Sequence, residues 1–166
     1  MGPLQYKVVQ STEYFLAHSS WSPASSVYIL AEEDGTIPDV SPRRTNYWAA
    51  EPGKTTGQGF TLRVDYCPRM IAGLQIKNAR NNYEWSTDEF KVSSSLNEKG
   101  PWKTLLESHL TDSTGGQAAP LLNFTFEQPE ELQYLKFELI SYWPPRGGGL
   151  QYFAAIPVTS EYKHNS

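Results

Sequence analysis

Cysteine is nearly absent from this 166-residue chain: Cys67 is the only one. A disulfide framework and a thiolate metal site are therefore excluded, and a lone cysteine at an apolar strand end is expected to be a small buried hydrophobe. Methionine is also scarce, with two in the chain. Basic runs are missing and the formal net charge is −4. Without a clustered Lys/Arg footprint, nucleic acid is not expected as a partner. No apolar stretch approaches the roughly 20 residues that span a bilayer. The first residues carry no signal-peptide core, so the chain reads as intracellular or as a mature or excised piece. Sustained helical periodicity is absent as well, which argues against a bundle.

What is present is aromatic and rich in turn residues: ten Tyr, seven Phe and five Trp beside twelve Gly and twelve Pro. That mix favours short strands joined by specific turns, and the length suits one domain, residues 1–166, with a sizeable core. Period-2 alternation marks the strands. Phe60, Leu62, Val64 and Tyr66 alternate with Thr61, Arg63 and Asp65. Ala72, Leu74 and Ile76 form a second inner row, and Phe90, Val92, Ser94 and Leu96 a third. A shorter strand is expected at 102–107. Leu122, Phe124 and Phe126, then Leu135, Phe137 and Leu139, supply two more inner rows. Residues 150–156 are apolar on both faces, as a central strand would be. Seven strands with short connections predict an all-β chain folded as an antiparallel β-sandwich.

If every connection reverses direction, successive loops alternate between the two ends of the sandwich. The loops at 46–57, 79–86, 108–120 and 142–148 then share one end. Those at 67–69, 97–101 and 128–132 share the other. The first set holds Tyr47, Trp48, Arg80, Asn81, Asn82, Tyr83, Trp85, His109, Trp143 and Arg146; the second holds polar turns with little chemistry. A ligand is expected at the first end.

Several ordered stretches resemble the discoidin family, also called the coagulation-factor type C domain, a branch of the galactose-binding-like jelly rolls. They are "NYW" at 46–48, "GFTLRVDYCPRMIAGLQIKN", "STDEFKVSSSLNEKGPWKTLL" and "LQYLKFELISYWPPRGGGLQYF". The resemblance covers about residues 46–156 and places Trp48 in the core. It departs from the coagulation-factor members, whose termini are joined by a disulfide that one cysteine cannot make. That leans toward the glycan-binding branch, and implies an extracellular or secreted module. The sequon Asn123-Phe124-Thr125 adds weak support for secretion.

A sugar site needs planar donors and acceptors for hydroxyls and an aromatic face for the ring. Arg80, Asn81, Asn82, Tyr83 and Trp85 carry that chemistry within six residues, although Asn-Asn equally reads as a turn and the aromatics as a cap on the sandwich. Tyr47 is expected to point opposite to Trp48, toward ligand. In the loop 142–148, Pro144-Pro145 stiffens the chain, Trp143 reads as a mainly structural ring that borders the site, and Arg146 as a ligand contact. Gly147, Gly148 and Gly149 are expected to supply positive φ and close backbone approach.

Relatives by this resemblance often hold a structural Ca2+, and "AEEDGTIPD" at 31–39 offers Asp34 and Asp39 as ligands, though a solvated acidic turn reads equally from the residues. Catalysis has little support: His18, His109 and His164 are scattered, and no acidic pair stands out in the aromatic-rich loops. The resemblance implies a non-catalytic domain that binds a glycan or glycoprotein, with galactose-type sugars favoured. The alternative is a cell-adhesion module for a protein partner or anionic phospholipid. The lipid reading is disfavoured because the loops carry Tyr and Trp rather than apolar spikes ringed by basic residues.

Overall fold

The computed structural model describes residues 4–12, 48–79, 85–114 and 119–159. Nine strands and no helix occur among them: β1 (Lys7–Ser11), β2 (Trp48–Ala49), β3 (Gly59–Arg63), β4 (Arg69–Asn78), β5 (Glu89–Ser95), β6 (Lys103–His109), β7 (Leu121–Leu132), β8 (Tyr134–Leu139) and β9 (Gly149–Pro157). They form two sheets, a five-stranded one in the order β1-β3-β8-β5-β6 and a four-stranded one in the order β2-β9-β4-β7. Every ladder is antiparallel. The expected sandwich is therefore the observed one.

The alternating inner rows meet between the sheets. Phe60, Leu62, Val92, Leu135 and Phe137 come from one sheet, Leu74, Ile76, Leu150 and Phe153 from the other, and all are buried. Aromatic contacts tie the two together. Phe60 stacks on Phe137 at 5.1 Å, while Trp48 and Phe153 meet Phe60 edge-on at 5.5 and 5.4 Å, the geometries that ring quadrupoles favour. Trp48 is fully buried, and its Nε1–H donates to the Thr12 carbonyl at 2.8 Å. The apolar run at the chain's end is β9, between β2 and β4, where both faces are covered.

Four local expectations change. Tyr66 is 70% exposed rather than inward, and Cys67 is exposed rather than buried. The strand ends at Arg63 because Asp65 builds a turn. Its carboxylate accepts from the Tyr66 N–H at 2.8 Å and pairs with Arg69 at 2.5 Å, so the next two side chains leave the sheet. The turn expected at 128–132 is instead the end of β7, and Gln133 alone separates β7 from β8. Pro129 is absorbed where the register slips, with Ile71 opposite Glu130 but Gly73 opposite Thr125. An edge strand tolerates that bulge because its outward N–H groups need no partner. Leu96, the last member of its inner row, lies just past β5 and is exposed.

Candidate functional site

Asn78, the last residue of β4, is the anchor of the loop end. It is buried, and its carboxamide bridges two connections, the one between β4 and β5 and the one between β6 and β7. The two Nδ2 hydrogens are shared among Ser86 Oγ at 2.9 Å, the Thr87 carbonyl at 3.0 Å and the Thr111 carbonyl at 2.9 Å. Oδ1 accepts from the Ala79 and Thr87 N–H groups, both at 3.0 Å. Ser86 and Ser113 share a hydroxyl hydrogen bond of 2.9 Å, and the Ser113 hydroxyl donates to the Ala79 carbonyl. The Thr87 hydroxyl donates to the Gly149 carbonyl at 2.8 Å and accepts the Gly149 N–H. Every member of this network is satisfied, the condition under which a buried polar cluster rigidifies its surroundings.

Backbone bonds stitch the same connections together. Ser86 N–H donates to Gly147 O, Trp143 N–H to Ser86 O, Gly53 N–H to Arg146 O, Ala50 N–H to Gly148 O and Leu110 N–H to Asp88 O, at 2.8–2.9 Å. The loops after β2, β4, β6 and β8 thus lie side by side, as the parity of an antiparallel chain requires. At the far end, Val64 and Gln133 are joined, and Gln133 to Ser95.

Trp85 was expected to stack on a ligand, and the structure corrects this. Only 2% of it is exposed. Its ring lies against Gly147, where an added Cβ would come to 2.8 Å from Cζ3. At Gly149 an added Cβ would come to 3.0 Å from the Trp48 carbonyl and to 3.2 Å from the Cβ atoms of Ala79 and Trp85. None of Gly147, Gly148 and Gly149 adopts the positive φ seen at Gly53, Gly57 and Gly100. The three glycines serve close approach, not a left-handed turn.

Trp143 is half-buried, and its Nε1–H donates to the Leu110 carbonyl at 2.9 Å. The ring edge is fastened to the neighbouring loop. Arg146 is exposed, while its carbonyl is held by Gly53. Beside it, Lys54 pairs with Glu51 at 2.6 Å. Tyr47, Arg80, Asn81, Asn82 and Tyr83 lie outside the described residues, as do Asp34 and Asp39 with the expected Ca2+ ligation. Among the described residues, no group of three or more His, Cys, Asp or Glu could hold a metal ion.

A second feature at this end escaped the sequence. The start of β5, the end of β6 and the end of β8 enclose an open groove of about 600 Å3, lined by Asp88, Glu89, Glu107, Ser108, His109 and Ile140 among others. Glu89 stands opposite His109 in the ladder, and Lys91 opposite Glu107. The Ser141 hydroxyl donates to Glu89 Oε1 at 3.0 Å and accepts the Glu89 N–H. Ile140 is 48% exposed. The acidic pair that no loop supplies comes instead from two adjacent strands. Only the pairing register, which the spacing of residues does not give, could have brought them together. The groove offers carboxylate acceptors, an imidazole and an apolar floor.

No family model and no curated protein matches the chain. Solved structures do. The family 32 carbohydrate-binding module of Clostridium perfringens NanJ, in complex with galactose, aligns over 92% of both chains with a TM-score of 0.60 at 12% identity. The C-terminal domain of a chitobiase from Bacteroides fragilis covers 95% of this chain and 97% of its own, with a TM-score of 0.64 at 10% identity. A CBM32 domain from Clostridium perfringens in complex with GalNAc-β-1,3-galactose covers 92% and 94%, with a TM-score of 0.60 at 10% identity. The chain has the discoidin-like, galactose-binding-like β-sandwich fold. Identity this low establishes the fold and nothing finer, because one fold hosts many ligands.

Proposed function

We propose that this chain is a non-catalytic glycan-binding domain that takes galactose-type sugars at the loop end. The observation that carries the reading is the fastening of three connections to one buried network, with the loop after β2 held to them by backbone bonds, beside an open, acceptor-rich groove at the same end. A sugar has many hydroxyl donors and one apolar ring face. Glu89, Glu107 and Asp88 accept such donors, Arg146 and His109 donate in return, and Ile140 or Trp143 meets the ring face. The fold neighbours that hold galactose and GalNAc-β-1,3-galactose support the same choice. A site so open and wet should bind weakly, so tight attachment would need several copies.

The anionic-lipid alternative is disfavoured by the same groove. Its exposed Ile140 is surrounded by carboxylates, which repel an anionic surface. A protein partner remains the second reading, to be taken up if no sugar binds.

The test is a glycan array run beside sedimentation with anionic liposomes. Binding to terminal galactose or N-acetylgalactosamine, lost in Arg146→Ala or Glu89→Gln with little change in melting temperature, is the expected result. Binding to liposomes alone, or to neither, would overturn the reading.

A further inference from the structure

The only sequon, Asn123-Phe124-Thr125, falls on β7, an edge strand whose sole described neighbour is β4. Phe124 points inward and meets Phe90 edge-on at 5.7 Å. Asn123 and Thr125 therefore both project from the opposite face, and both are exposed. Asn123 contrasts with Asn78. The Asn78 carboxamide is buried and fully committed, whereas no hydrogen bond among the described residues engages the Asn123 side chain. Substituting its nitrogen disturbs neither the core nor the ladder, since Asn123 pairs with Gln75 through backbone alone. β7 is also twelve residues long and, among the described residues, has no neighbour on one side, a template for strand addition that native sheets usually blunt. The other edge of the same sheet, β2, has two residues.

We infer that Asn123 is an N-glycan acceptor, and that its glycan covers the free edge of β7. The donor is an oligosaccharide carried on a lipid diphosphate. The bond from the sugar anomeric carbon to the phosphate oxygen breaks, a bond from that carbon to Asn123 Nδ2 forms, Nδ2 loses a proton and the lipid diphosphate departs. The Thr125 hydroxyl completes the recognised tripeptide. This inference is independent of the ligand at the loop end.

The test expresses the full chain behind a secretion leader in a eukaryotic host, with Lys99→Thr added to create a second sequon at Asn97 in an exposed turn. Only molecules glycosylated at Asn97, and hence known to have entered the lumen, are scored by peptide mapping. Glycan on Asn123 in most of these molecules, abolished by Thr125→Ala, is the expected result. A bare Asn123 beside an occupied Asn97 would overturn the acceptor assignment. Secreted protein without the Lys99→Thr change is then compared before and after enzymatic deglycosylation. Greater self-association of the stripped form, relieved by Thr125→Lys on the β7 face, is expected; equal sedimentation at all concentrations would overturn the edge-covering role.

Discussion

Gly147 faces the ring of Trp85 with no room for a methyl group: a Cβ there would approach Cζ3 to 2.8 Å. The ring is buried and cannot swing away. Gly147→Ala should therefore destabilise the fold by about 1–3 kcal/mol through overpacking, and Trp85→Ala by about 3–5 kcal/mol through the cavity it leaves. Denaturant unfolding of the two variants checks this. Arg146→Ala, at an exposed position, should leave the midpoint nearly unchanged.

Asn78 places one carboxamide between two connections. Asn78→Ala leaves two buried N–H groups and two carbonyls without their partner, and should cost about 3 kcal/mol. Asn78→Asp keeps the acceptor but turns an oxygen toward the Thr87 and Thr111 carbonyls, so it should not rescue. Amide exchange at Thr87 and Ala79 should accelerate in both variants, more than exchange in β3 or β8.

Tyr6 should set part of the alkaline limit. Its hydroxyl accepts the Ala155 N–H at 2.8 Å, and burial pushes its phenol well above the ordinary tyrosine range. Tyr152 is raised by burial too. A raised phenol stays neutral in the folded chain while the unfolded chain ionises. The stability it contributes is therefore whole below pH ~10, the ordinary tyrosine value, and is lost as pH rises beyond it. Tyr6→Phe should be less stable at neutral pH by about 1 kcal/mol, yet lose less between neutral pH and pH ~11. Melting curves across that range check the sign.

Cys67 should react with a maleimide in the native protein as fast as an exposed peptide thiol, because its side chain is exposed. Protection that disappears only on unfolding would contradict the turn geometry set by Asp65 and Arg69.

The frame was legible wherever one physical rule decided the outcome. Alternation placed Phe60, Leu74, Val92 and Phe137 inward, and antiparallel parity gathered the loops after β2, β4, β6 and β8. Reading failed where a rule was carried one step too far. The alternation of β3 was extended to Tyr66, although Asp65 with Arg69 four residues later signals a closing turn. Trp85 was read as a loop aromatic offered to ligand, although three consecutive glycines elsewhere in the same end signal space made for a large ring. Asn78, Ser86, Thr87 and Ser113 were invisible as a network because each residue type reads locally as a cap or turn. Their meaning lies in distances between loops. The Glu89–His109 groove depended on a hairpin register that slips between Val92 and Ser93, and no residue pattern announces that slip.

The buried network at Asn78 separates two tasks that loops ordinarily combine. The points where three connections leave the sandwich are set from beneath, by buried atoms. Substitutions above that level leave the network in place. The sandwich end is in this way a socket whose shape is set from below its rim.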